Sequence, residues 1–380
     1  MDMVAAELST VEAPMAPARR PAMPCWQELA AQASEANPFY HPALLGPALD
    51  HLDAERQVRV TEARSNGRLI GLLPILVRDR HARYPVRNAA NWVHEQCFFG
   101  APLLRAGEEQ KAWADILAQL DAADWAGHFL HLESLDSEGP VVAALLACCA
   151  AQGRKITTIA THDRALLRSN LTADEYWQAN VRAKKRKDIR RRINRLEEIG
   201  TVSHSRLRDG GDVAAWTEDF LALECSGWKG EEGTALDSSE HSRAFFRAAL
   251  GNAARENMLD MLRIDFDGAA IAMLINFYMG PGAYSYKTAF DERFGRFSPG
   301  VLIEIDTLRA ALSDPQLDWM DSCAAPGHPM IDGIWAERRS IVQYRVALKG
   351  RGWSGIRRRT AFAATGLAEK LIRAIKRESR

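Results

Sequence analysis

Asp321, Glu224, Tyr286 and Lys287 are the residues of this 380-residue chain whose types and placement suit group transfer to an amine or hydroxyl. Such transfer needs a base for the acceptor proton, a donor for the oxyanion and an acid for the leaving group. Asp321 closes a strand-like run at 317–321 and is the first candidate to orient or deprotonate an acceptor, with capping of the next turn as its plainer use. Glu224 ends a helical stretch just ahead of a glycine-rich loop at 226–236 and is a second candidate for that role. Within the loop, Trp228 and Lys229 are placed either to line an acceptor site or to fill a domain junction. Tyr286 suits an acid toward the leaving group or a core position, and Lys287 suits a phosphate contact. Adjacent on a strand, the two side chains are expected on opposite faces, so only one would reach a cleft.

A second constellation follows at 291–302. Ser298 suits an N-cap and Pro299 the first helical position, where its missing N–H is no loss. Val301, Ile305, Leu308 and Leu312 then form an apolar stripe at helical spacing. The unpaired amides of Gly300, Val301 and Leu302 at such a terminus attract an anion, and a glycine lets a phosphate come close to the backbone. Arg293 and Arg296 stand beside it. A pyrophosphate cradle and ordinary capping both fit this pattern.

Other chemistries find little support. His128 and His131 lie three apart in a strand-like run and face opposite ways, so no metal is expected. Cys323 follows Asp321 closely, but no histidine is placed to activate it. The sequence holds no H-E-x-x-H, P-loop or G-x-S-x-G motif, and its six cysteines show no C-x-x-C spacing.

These residues need elements to hold them. Asn66-Gly67 and Asp267-Gly268 are two-residue hairpin signals, each followed by an apolar run. Strands are expected at 258–266, 269–278 and 283–290, then the helix from Pro299, then the strand that ends at Asp321. Earlier, helices at 110–123 and 140–153 flank a strand at 129–132, and Thr172 with Glu175 has capping-box form. The helix begun there is expected to run, with a break, toward Glu198. Alternating helix and strand mark a mixed α/β (α+β) sheet.

Several stretches resemble the C-terminal domain of the CelD-like acetyltransferase family, which is associated with cellulose and exopolysaccharide genes. They are Tyr286-Lys287-Thr288-Ala289-Phe290-Asp291, Phe297-Ser298-Pro299-Gly300-Val301-Leu302 and Trp319-Met320-Asp321. The loop after Glu224 and the basic segment ending Arg191-Arg192-Ile193-Asn194-Arg195-Leu196 are similar to that family too, and Pro38-Phe39-Tyr40-His41-Pro42 fits its degenerate first domain. The resemblance implies a tandem GNAT-like acyl-CoA N-acyltransferase fold, related to the Fem aminoacyltransferases. It implies acetyl-CoA or another acyl-CoA as co-substrate, with a polar acceptor such as an amino sugar, an amino acid or a polysaccharide-biosynthesis precursor. One departure stands out: where the family carries a Tyr-Lys pair after its last strand, this chain has Ser322-Cys323-Ala324-Ala325-Pro326-Gly327-His328.

Composition sets the outer limits. Forty-nine basic residues balance 49 acidic ones, so no whole-chain field recruits nucleic acid or membrane. An Ala- and Pro-rich start without a basic-then-apolar order argues against a signal peptide, and charges interrupt every long apolar run. A cytoplasmic chain is expected, divided into a disordered tail at 1–25, a degenerate GNAT-like domain at 26–170, a GNAT domain at 171–349 and a basic amphipathic tail at 350–380. That tail suits contact with the inner membrane surface. The cationic helix across 182–195 suits a polyanion or a solvated linker. It leaves two further readings open, an aminoacyl-tRNA-dependent transferase and a nucleic-acid-binding protein without catalysis.

Overall fold

Asn66-Gly67 and Asp267-Gly268 make the turns that their residues call for. All four take positive φ (50°, 81°, 50° and 82°), the backbone twist that closes a tight hairpin. The first joins β1 (Arg59–Ser65) to β2 (Arg68–Arg78), and the second joins β8 (Leu259–Phe266) to β9 (Ala269–Met279). A third antiparallel strand, β10 (Gly282–Phe290), follows directly. The computed structural model describes residues 20–208, 210–226, 236 and 239–378.

The remaining strands are β3 (Asn88–Asn91), β4 (Leu103–Leu104), β5 (Phe129–Asp136), β6 (Ile156–Leu167), β7 (Val202–Leu207), β11 (Trp319–Asp321) and β12 (Glu337–Ala347). Among the described residues all twelve belong to one sheet, in the order β1-β2-β3-β5-β12-β6-β11-β10-β9-β8-β7, with β4 on β2. Strands from the two ends of the chain interleave. β12 lies between β5 and β6, and β6 continues onto β11, so the halves expected to part near residue 170 share a continuous hydrogen-bonded sheet.

Helices cover both faces. One apolar layer holds α1 (Met23–Ala31), α2 (Pro42–His51), α3 (Glu109–Ala122), α4 (Pro140–Ala151), α7 (Val213–Cys225) and α8 (Glu240–Arg255). The other holds α5 (Ala173–Asn180), α6 (Ala183–Glu197) and α9 (Pro299–Leu312). Period-two alternation divides each strand between them: on β9, Met273, Ile275 and Phe277 enter the first core, Ala272 and Leu274 the second. Thr172 and Glu175 close the capping box at the start of α5, and the expected break falls at Val181-Arg182, where α6 begins.

The segment expected as an amphipathic tail is the helix α10 (Gly352–Glu378), and it is docked. Arg358 is buried and donates to the carbonyls of Gly127 (3.0 Å), Asp121 (2.8 Å) and Ala123 (2.7 Å). Glu369 accepts from Arg345 at 2.8 Å and meets His81 at 3.1 Å, while Phe362 packs edge-on against Phe129. Of the tail cations that looked solvated in sequence, Arg358 turns inward while Arg357, Arg359 and Lys370 stay exposed. Among the described residues no helix is long and apolar enough to cross a membrane.

Candidate active site

Two neighbouring strands part after a short pairing. β10 and β11 run parallel and pair at only three positions, Gly282 with Trp319, Ala283 with Met320 and Tyr284 with Asp321. Beyond Asp321 β11 ends, while β10 continues to Phe290. Its pairing with β9 shifts register between Ser285 and Lys287, a bulge at Tyr286. A bulge adds one residue without advancing the pleat, so the alternation expected from sequence fails here. Tyr286 and Lys287 both lie on the side of Glu224, and the expectation that only one could reach the cleft is corrected.

Three candidates meet there. Lys287 Nζ lies 3.9 Å from Glu224 Oε1 and 5.7 Å from the centre of the Tyr286 ring. Glu224 Oε2 accepts from the backbone N–H of Leu236 at 2.9 Å, which fixes this buried carboxylate. The Tyr286 hydroxyl donates to Gln96 Oε1 at 3.0 Å, among the rings of Phe39, Phe98, Phe246 and Phe277. Burial first, and then the charge of Glu224, push this phenol well above its ordinary range, so it stays protonated and able to donate. Trp228 and Lys229 lie outside the described residues. Gln96 carried no signal in the sequence.

Asp321 has a different part. Its Oδ2 accepts from Arg164 at 2.7 Å and from Arg339 at 3.0 Å, and its Oδ1 accepts from the N–H of Cys323 at 2.8 Å. Arg339 reaches on to Asp136 (2.8 Å) and Glu35 (3.0 Å), with its guanidinium over the rings of Phe99 and Trp319. Burial opposes the charge of Asp321, yet Arg164 and Arg339 outweigh it and hold the carboxyl below its usual range. A carboxylate so engaged holds the end of β11 against the N-terminal half rather than taking a proton. Burial, with Asp321 beside it, pushes the Cys323 thiol well up, which keeps it from acting as a thiolate.

At the other end of the connection, Ser298 takes a left-handed φ of 57° and makes no side-chain cap, contrary to the capping expected of it. Its Oγ instead accepts from Arg192 of α6, whose guanidinium also donates to the carbonyl of Arg296 at 3.3 Å. The Ser298 carbonyl takes the N–H groups of Val301 (2.9 Å) and Leu302 (3.2 Å), so the first turn is tight. Pro299 and Gly300 are buried. A Cβ on Gly300 would sit 2.7 Å from the Met330 sulfur and 3.0 Å from Phe290, so this glycine serves close packing. Arg293 is tied to Asp291 at 2.6 Å, whereas Arg296 lies exposed over Phe297. One turn into α9, Glu304 is buried beside Thr288 of β10, and burial raises its carboxyl to about 7. Among the described residues no group of His, Cys, Asp or Glu is placed to hold a metal ion.

A three-strand meander, a helix, and a following strand that parts from the third is a recognisable order. Residues 183–327 match the family model of the acetyltransferase (GNAT) domain. Over that stretch the chain is similar to the acetyltransferase (GNAT) domain, which supports an acyltransferase. Its fold extends beyond that match. FemX superimposes with a TM-score of 0.55 at 8% identity, over 86% of this chain and 96% of FemX. A conserved protein of unknown function from Bacteroides thetaiotaomicron gives 0.55 at 12% identity, over 88% of this chain and 100% of its own. The C-terminal domain of a protein from Agrobacterium fabrum, named for lysylphosphatidylglycerol synthesis, gives 0.50 at 12%, over 85% and 91%. At such identities the likeness is one of fold. No curated protein sequence matches the chain. Within the matched stretch β10 and β11 are the parting strands, and α9 is the helix between them.

Proposed function

We propose that the protein moves an acetyl or longer acyl group from acyl-CoA to an amine or hydroxyl of a polar acceptor by direct attack. The parting of β10 from β11 after Tyr284 and Asp321, with α9 starting beyond the far end of β10, carries this reading. A thioester lying in the gap would bring its carbonyl past Tyr286 and Lys287. Its phosphates would lie toward the start of α9 at Ser298 to Leu302, on the side of the exposed Arg296, and not on the amides of Val301 and Leu302, which the Ser298 carbonyl already takes. Glu224 is the group placed to take the acceptor proton, since one of its oxygens is fixed by Leu236 and the other faces Lys287. Tyr286, held protonated, is the donor for the departing thiolate. An amino sugar, an amino acid or a polysaccharide precursor suits a site whose described groups are polar at one point and aromatic around it.

Calorimetric titration with acetyl-CoA, longer acyl-CoAs and CoA tests the donor. Micromolar binding of acetyl-CoA together with acyl transfer to an amine is the expected result, and no binding of any of the three would remove the reading. A Fem-like aminoacyl-tRNA-dependent transfer is the second reading, favoured by the cationic face of α6. Titration with a charged tRNA separates it from the first.

A further inference from the structure

A cavity of about 1340 Å³ lies between α6 and the segment 332–338. Its walls are far more basic than they are acidic. Residues 183–197 hold eight Lys and Arg against Asp188 and Glu197 alone, and like charges three and four apart on a helix destabilise it. Asp188 is already engaged by Arg191 and Arg192, and Asp332 lies 3.8 Å from Arg338. Among the described residues Lys184, Lys187 and Arg195 line the cleft without a carboxylate partner.

Two further features point to a missing anion. Lys185 is half-buried and reaches across to the opposite wall, so that a Cβ on Gly333 would come within 2.6 Å of its Nζ. Burial lowers the pKa of this ammonium, which an anion beside it would restore. Trp335, fully buried in the same wall, has an indole N–H without a partner. The lysines and arginines of the cleft wall therefore offer several donors against few acceptors. The helix α6 that walls it is tied to the start of α9, because Arg192, outside the cleft lining, reaches Ser298 and the Arg296 carbonyl.

We infer that this cleft holds closely spaced phosphates of a ribonucleotide, continuing the donor site beyond the N-terminus of α9, an inference that rests on the donor reading above. The 3′-phosphorylated adenosine end of CoA and the acceptor end of a tRNA share that chemistry, and the former fits the acyl-CoA donor. Charge-assisted bonds to phosphate from several side chains at once are the strong kind.

The test compares the full chain with a Lys184→Gln, Lys187→Gln, Arg195→Gln variant whose melting temperature confirms folding. Each is titrated with CoA, with dephospho-CoA and with a short RNA hairpin ending in CCA, at two salt concentrations. The variant is expected to bind CoA about tenfold or more weakly, to show a shallower salt dependence, and to lose the preference for CoA over dephospho-CoA. If neither protein binds CoA while RNA binding is weakened in the variant, the donor reading falls and the cleft stands with RNA as the source. If the variant binds CoA and RNA as the full chain does, with unchanged salt dependence, the cleft assignment is overturned and the donor reading survives.

Discussion

Glu224 and Asp321 are both buried carboxylates near the parting strands, yet their partners give them opposite work. Glu224 accepts from the Leu236 N–H and has Lys287 at 3.9 Å, whereas Asp321 is bonded to two guanidinium groups. Glu224→Gln keeps the bond to Leu236 and removes the base, and kcat is expected to fall about 10²-fold or more with the fold intact. Steady-state kinetics beside a melting curve checks this. Asp321→Asn instead leaves Arg164 and Arg339 short of a buried counter-charge, and a loss of about 3 kcal/mol is expected in urea unfolding. A variant that stays fully stable but inactive would return Asp321 to the chemistry. Glu304 gives a pH signature. With a folded value near 7 against an ordinary 4.5, the folded chain keeps a proton that the unfolded chain has released across that window. Its contribution therefore favours the fold at the acid end and is lost as pH rises toward 7, by up to roughly 1.4 kcal/mol per unit. Glu304→Gln should flatten that slope in melts from pH 5 to 8 and raise stability at its upper end.

At the scale of elements, a bulge and a docked helix decide most. The bulge at Tyr286 puts two consecutive side chains on the face of Glu224, which regular pleating forbids. The start of α9 depends on Gly300 for contact with Met330 and Phe290, so Gly300→Val would disturb the packing and cannot isolate donor binding. Arg192→Ala is the cleaner change. It removes the link between α6 and Ser298, and weaker CoA binding with an unchanged melting temperature is expected by calorimetry. For α10, the inner face carries Arg358, Phe362 and Thr365, and the outer face carries Trp353, Ile356 and Leu367 with Arg357 and Lys370. Truncation after Gly350 exposes the carbonyls that Arg358 caps and strips Phe129 of Phe362, so a lower melting temperature is expected. The outer face, a basic and apolar stripe, is what would meet an anionic lipid surface.

For the molecule as a whole, the interleaving of β12 and β6 governs how it can be divided. A fragment of residues 171–349 lacks both strands that flank β12 and the strand that covers β11, leaving long unpaired edges. It is expected to lack a cooperative unfolding transition, whereas the full chain unfolds as one unit. A sharp transition for the fragment alone would show that each half folds independently. The buried chain Glu35–Arg339–Asp321–Arg164 spans the same seam, so the gap between β10 and β11 is positioned by residues from both ends of the sequence.

Local chemistry was enough to read the two hairpins, the capping box at Thr172, the break before α6 and the strand–helix–strand order around α9, because turns, caps and periodicity depend on neighbours in the chain. β12 and β6 escaped such reading. Arg339 and Arg345 sit inside β12 as buried cations, and a charged residue reads as surface until Asp321, Glu35 or Glu369 arrives from a distant segment to pair with it. The same long-range pairing turned Asp321 from a free carboxylate into a bound one and drew Arg358 of the basic tail inward. Which face Lys287 takes and where Arg192 reaches likewise depended on a bulge and a neighbouring helix, and only the packed fold supplies those.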